Sequence, residues 1–224
     1  MRSIPTYSVR KLGECVGSPT PDDPVWNTAY TLEIVHFRPE SSSHRPKTQA
    51  RLLYDERGIH GLFRVQDQYV LCRRTNYGDE VWKDSCVEFF VRPSEDRGYL
   101  NFEFNCGGAF LCSYITNWER TPTGLKEFSR IPACEAAQVR VRPSARGRID
   151  PECVTAMVWT LGFFIPFGLI EKFVGSIGDP QGQIWRANFY KCVEENSHPH
   201  WAAWSPVDEL NFHLPACFGA IQFE

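Results

Sequence analysis

Alternation with a period of two runs through most of this chain and sets its fold class before any motif does. In "YLNFEFNCGG", Leu100, Phe102 and Phe104 fall on one face, Tyr99, Asn101, Glu103 and Asn105 on the other, and Gly107-Gly108 then turns the chain. Successive side chains of a strand point to opposite sides of the sheet, so this register describes a strand with one apolar and one polar face. "ARLLYDERGIHGLFRVQDQ" gives two strands about the turn signal Asp55-Glu56-Arg57-Gly58. "SCVEFFV" puts Val87, Phe89 and Val91 on an apolar face, with Cys86, Glu88 and Phe90 opposite. "IWRANFYKC" alternates again, and "AAQVRVRP", "CVTAMVWTLGFFIPF" and "FGAIQFE" supply further strands. Amphipathic helix patterns are scarce; the best is the short "IPFGLIEKF", opened by Pro166. Residues 37–48, 116–130 and 193–211 read as long loops. The pattern predicts an all-β protein: an antiparallel β-sandwich, immunoglobulin-like or jelly-roll-like, with long loops and at most short helices. No repeat or linker divides residues 1–224, which are expected to form one domain.

Composition excludes two partner classes. The net charge is -3 and no Lys/Arg stripe is present, so no nucleic acid is expected as partner. No apolar run is long enough to span a membrane, so no membrane partner is expected. The nine cysteines, from Cys15 to Cys217, show neither CxxC pairs nor zinc-ligand spacing. Several fall within apolar strands, where a free thiol behaves as a small hydrophobe. Reduced core thiols, with a start ("MRSIPTYSVRKLGE") lacking an apolar signal region, predict a cytoplasmic location unless a signal has been removed.

The polar strand faces carry the functional signal. Glu88, Asn101, Glu103, Asn105, Arg186 and Asn188 lie on them, and Trp82 and Asp84 stand upstream of Glu88 in phase. A solvated outer sheet face is the plain reading. Carboxylate, amide and guanidinium groups in such numbers instead suit bidentate hydrogen bonding to neighbouring hydroxyls, and an aromatic ring beside them can stack on a sugar face.

The ordered set "VWKDSCVEFFVRP", "YLNFEFNCGG", "FFIPF", "WRANFYKC", "WSPV" and "NFHLPACFGAIQF" resembles the carbohydrate-binding module family 9-like domains, of the DOMON-like group of sugar- or haem-binding β-sandwiches, from about Trp26 to the C-terminus. The resemblance implies a non-catalytic module that grips a small sugar, or the end of a glucan or xylan chain, between two tryptophans. By motif, Trp82 matches the first tryptophan and Glu88 the acidic residue after it. Trp204 is the better match for the second, with Trp201 as the fallback. Glu103, Asn105, Arg186 and Asn188 fall on the strands that bond the hydroxyls. Glu103 and Arg186 stand where the clamp pattern has basic and glutamine residues. Glycoside hydrolases are the implied protein partners. No cofactor is required. Structural calcium is compatible with the resemblance, but no dense Asp/Asn loop fixes a site, so metal ligands stay unassigned.

Four rival chemistries compete with sugar binding. Glu88 and Glu103 could serve as a glycosidase carboxylate pair. Cys86, near Asp84, could be a nucleophile if His60 or His213 paired with it; a buried, inert thiol is the plainer reading. A haem would draw on Met157 or His213 as axial ligands. His198 and His200, in "HPH", could bind a metal, although exposed loop histidines are the plainer reading. The reading of the sequence is a non-catalytic carbohydrate-binding protein using Trp82, Glu88, Glu103, Asn105, Arg186, Asn188 and Trp201 or Trp204.

Overall fold

The computed structural model describes residues 4–13, 19–122 and 124–224; Cys15 and the first three residues of the chain lie outside them. The first eight strands are β1 (Thr6–Lys11), β2 (Leu32–Ile34), β3 (His36–Phe37), β4 (Lys47–Tyr54), β5 (Gly58–Asp67), β6 (Val70–Cys72), β7 (Cys86–Arg92) and β8 (Tyr99–Asn105). After them come β9 (Phe110–Thr121), β10 (Gly124–Arg130), β11 (Arg140–Pro143), β12 (Ile149–Cys153), β13 (Met157–Pro166), β14 (Ile184–Val193), β15 (His200–Ala203) and β16 (Gly219–Phe223). The α-helices are short, α1 over Ala133–Ala136 and α2 over Phe167–Val174. The fold is the expected all-β sandwich. No described helix is long and apolar enough to cross a membrane.

One layer runs β10-β9-β8-β7-β14-β16-β1 and the other β1-β4-β5-β13-β11. β1 joins both: Thr6–Val9 pair with β16, and Arg10 and Lys11 pair with β4. Those two pairings are parallel, an exception to the antiparallel pattern, because β1 enters at the seam where the layers meet.

The apolar faces read from the sequence meet between the layers. Val87, Phe89 and Val91 of β7 and Phe102 and Phe104 of β8 are fully buried, as are Ile59, Phe63 and Val65 of β5. Phe163 of β13 bridges the gap, stacking on Phe89 at 5.7 Å and on Phe104 at 5.3 Å. Its ring lies over Gly61, where a Cβ would sit 2.0 Å from it, so only glycine admits that ring. The turn at Asp55 forms as expected: its carboxylate accepts from the backbone N–H of Arg57 at 2.9 Å and of Gly58 at 3.1 Å.

Two loop expectations are corrected. Residues 116–130 are mostly strand, the hairpin β9–β10. β10 is wet on both faces, so the apolar alternation that betrays a half-buried strand never develops there. Within 193–211, residues 200–203 form β15, paired to β14. His200 is fully buried rather than exposed, and His198 stacks on Tyr69 at 3.7 Å. α2 follows Pro166 as expected and closes at Gly175, whose φ of 83° is left-handed.

One charged cluster is sealed between the layers. Lys191, on the inward face of β14, lies 3.5 Å from Asp67 and 2.9 Å from His200 Nε2, and His44 Nε2 is 2.8 Å from Asp67. Burial would raise the Asp67 carboxyl, but Lys191 and His44 outweigh it and hold the group well below its ordinary range.

Candidate functional site

The outward face of the first layer is concave and encloses a cavity of about 520 Å³. Its floor is built by cross-strand register. Glu88 of β7 lies directly opposite Glu103 of β8, which lies opposite Leu111 of β9; one step along, Asn101 lies opposite Ser113. Trp82, from the 3₁₀ turn Val81–Lys83, and Trp201, from β15, form walls. Both tryptophans pack on one buried cluster, Val81, Cys86, Leu111 and Cys192, so their positions are set by the same support. The β9–β10 hairpin contributes Arg120 and Arg130. Arg120 donates from Nε and Nη2 to Asn211 Oδ1 at 3.2 and 3.1 Å, tying the hairpin to the loop before β16. That loop is also anchored by Phe212, stacked on Tyr190 at 4.0 Å.

The two carboxyl groups are the electrostatic centre. Burial raises Glu103 to about 7, against the opposing pull of Arg130 and the hydrogen bond from Asn101. Burial also raises Glu88 well above its ordinary value, helped by Cys192 and Glu103. Two carboxyls side by side in low dielectric do not both ionise readily, so the pair retains protons at neutral pH. Glu103 Oε1 accepts from Asn101 Nδ2 at 2.6 Å, whereas the buried Oε2 has no partner among the described residues. A buried polar atom left open costs free energy, which a ligand hydroxyl would recover. A protonated carboxyl donates and an ionised one accepts, so the floor can serve a hydroxyl in both its roles.

Of the sequence-predicted residues, Trp82, Glu88, Glu103 and Trp201 line the cavity. The other four do not. Trp204 turns inward and is buried against Phe189, with ring centroids 5.7 Å apart. Asn188 is spent on backbone: it donates to Ser205 O at 2.9 Å and accepts from the Ser205 and Phe189 N–H groups. Asn105 donates to Arg74 O and Asp84 and accepts from Ala109 N–H, fixing the loops beneath Trp82. Arg186 sits at the far end of β14, level with Arg92 and Ala220. Asp84 orders its loop through Arg74, accepting from its backbone N–H at 2.8 Å and its guanidinium at 3.0 Å. Arg120 and Arg130 were missed with their hairpin. Asn101 was on a recognised polar face, and its position beside Glu103 was the available signal.

The rival sites are not assembled. His60 belongs to β5 in the other layer, 3.1 Å from Asp55, and burial pushes the Cys86 thiol up to about 12, so it has no activating partner. His213 Nδ1 is bonded to the Tyr99 hydroxyl at 2.6 Å, and burial lowers the ring to about 3. Met157 lies on β13 in the opposite layer, so the two residues do not share a pocket.

A family model, that of carbohydrate-binding family 9, matches residues 27–223. The chain belongs to carbohydrate-binding family 9. This is a family of non-catalytic binding modules. The family 9 chain is similar to a solved structure of a candidate carbohydrate-binding protein from Bacteroides uniformis ATCC 8492, with 28% identity, a TM-score of 0.87, and coverage of 99% of this chain and 100% of that one. It shares its fold with a family 9 module from Caldicellulosiruptor kristjanssonii solved with glucose, at 12% identity and a TM-score of 0.59 over 98% of this chain and 96% of that one. A family 9 module of the same organism solved with cellotriose gives 14% identity and a TM-score of 0.60 over 98% of this chain and 94% of that one. Among curated proteins it is 23% identical to an "Extracellular protein" of Arthroderma benhamiae, covering 97% of this chain and 98% of the relative.

Proposed function

We propose that this family 9 protein binds a mono- or oligosaccharide end non-covalently in the cavity and catalyses no reaction on it. Trp82 and Trp201 supply stacking faces. Glu88, Glu103, Asn101, Arg120 and Arg130 bond the hydroxyls. The observation that carries this reading is Glu103, whose buried Oε2 has no partner among the described residues, on the lining of a cavity walled by two tryptophans. Planar charged groups over a carboxyl floor, with aromatic walls, match a ligand that presents hydroxyls at its edge and C–H groups on its face.

A glycosidase reading is less favoured by the same geometry. Acid and base or nucleophile must flank the scissile bond. Glu88 and Glu103 are neighbours on one sheet face and would lie together beneath a ligand.

Family 9 modules of Caldicellulosiruptor kristjanssonii were solved with glucose and with cellotriose, so these are the first ligands to titrate. Calorimetry is expected to give saturable binding to at least one mono- or oligosaccharide. Trp82→Ala and Trp201→Ala are each expected to weaken it at least about tenfold, which is about 1.4 kcal/mol. Absence of saturation across gluco-, xylo- and manno-configured sugars, or unchanged affinity in both tryptophan variants, would refute the proposal.

A further inference from the structure

Cys86 of β7 and Cys192 of β14 face each other as direct cross-strand partners, Cys192 on the lining of the cavity and Cys86 buried beside it. Glu88 stands two residues along β7, on the same side. One ligand atom from each, two sulfurs and a carboxylate oxygen, lie within 4.8 Å of one another. The Cys192 thiol donates to Glu88 Oε1 at 3.1 Å. All three side chains are buried, and Glu88 and Cys192 border the cavity.

We propose that Cys86, Cys192 and Glu88 form a binding site for a thiophilic divalent cation of the zinc type, with its fourth position open to the cavity. Two thiolates at about 2.3 Å and one carboxylate oxygen at about 2.1 Å are ordinary tetrahedral zinc donors, and those bond lengths put the donor atoms about 3.6–3.8 Å apart. The three atoms therefore need to close by about 1 Å at most, which side-chain rotation supplies. Calcium is unsuited, because it needs six to eight oxygen ligands and this site offers sulfur. The periodicity that hid the site in the sequence is also what builds it: the cysteines are 106 residues apart in number but adjacent in register, so no short ligand spacing announces them.

The electrostatics agree with the geometry. Without a cation, burial keeps all three groups neutral, with Cys86 up at about 12 and Cys192 and Glu88 raised well above their ordinary values. A divalent ion supplies the missing charge; coordinated thiols lose their protons to bulk water as it binds. Glu103, raised to about 7, adds negative charge beside the site as it ionises. Lys191 opposes it from the inward face, but its ammonium is already engaged with Asp67 and His200. The site shares Glu88 and the cavity with the sugar reading, but its test needs no sugar, so the two readings fail separately.

The test is titration of the reduced, metal-free full chain with Cd²⁺, monitored by thiolate-to-cadmium charge-transfer absorption. One equivalent is expected to saturate the band. Cys86→Ser and Cys192→Ser should each abolish it, and Glu88→Gln should weaken binding about tenfold or more. Cys72→Ser with Cys106→Ser, which removes the other adjacent thiol pair, and Cys134→Ser should leave it intact. Cadmium NMR of the wild-type chain gives a variant-free check, with a shift typical of two sulfur ligands expected. No band from folded protein, a band that survives in Cys86→Ser/Cys192→Ser, or a shift typical of oxygen ligands alone would overturn the proposal.

Discussion

Adjacent residues of β14, Lys191 and Cys192, point to opposite faces of one sheet and enter two buried polar clusters of opposite design. On the inward side, Lys191 meets Asp67 and His200, and His44 bonds Asp67, so opposite charges are paired and sealed between the layers. On the outward side, Cys192 meets Glu88 and Cys86, three acidic groups with no paired cation among them, and Glu103 keeps an oxygen without a partner among the described residues. Both clusters are buried, so burial alone does not mark a functional site. The difference lies in charge pairing. The inner cluster sets an ammonium against a carboxylate and ties β5 to β14, although Asp67 Oδ2 makes no hydrogen bond among the described residues. The outer one holds no such pair, and it borders an open cavity.

The largest expected effect breaks the paired side. Asp67→Ala strands a fully buried ammonium, and removing one partner of such a pair costs about 3–5 kcal/mol. Urea unfolding at pH 7 should read that loss. The folded-state pKa of Asp67 is depressed, so its contribution is present above the unfolded carboxyl value and is lost as pH falls toward the folded one. The deficit of the variant should therefore shrink below about pH 4. A loss under about 1 kcal/mol would mean that water reaches Lys191 and that the inner cluster is not sealed.

The same kind of substitution on the outer side should have the opposite sign. Glu103 is raised to about 7, so its contribution to stability is full below the unfolded value, near 4.5, and is lost as pH rises through about 7. Glu103→Gln removes that titration. In metal-free buffer the variant should gain on the wild type by about 2–3 kcal/mol between pH 4.5 and pH 8, and it should bind sugar more weakly at both. A variant that is destabilised at pH 8 would show that the floor is completed by a group within the protein, and the contrast between the clusters would fail.

How far the sequence discloses such a site depends on what covers each strand face. Trp82, Glu88 and Glu103 were legible because period-2 phase puts them on a face that stays open. Asn188 and Asn105 carry the same kind of signal in equally good phase. Loops unreadable from periodicity fold over them: Ser205 takes Asn188, and Asp84 and Arg74 take Asn105. Trp201 and Trp204 differ by three positions. β15 ends at Ala203, and beyond it phase no longer says which way a ring turns. The sandwich itself was plain, because Val87, Phe89, Val91, Phe102 and Phe104 have no other way to be buried together. The hairpin β9–β10 was hidden by its exposure to water on both sides.

That hairpin provides the smallest and most specific test. Arg130 is exposed, lines the cavity, and is the leading favourable charge acting on Glu103. A charged hydrogen bond made by an exposed group contributes about 1 kcal/mol, so Arg130→Ala should weaken sugar binding about fivefold. Stability should move by less than about 0.5 kcal/mol, because no core contact is lost. A second readout separates this from indirect disturbance. Removing the cation takes away a force that favours ionised Glu103, so its titration midpoint, followed by carboxyl NMR, should move above about 7. Weakened binding with an unmoved midpoint would place Arg130 on the ligand but away from the carboxyl floor. A moved midpoint with unchanged binding would make the hairpin part of the electrostatic frame and leave hydroxyl recognition to Glu88, Asn101 and Glu103.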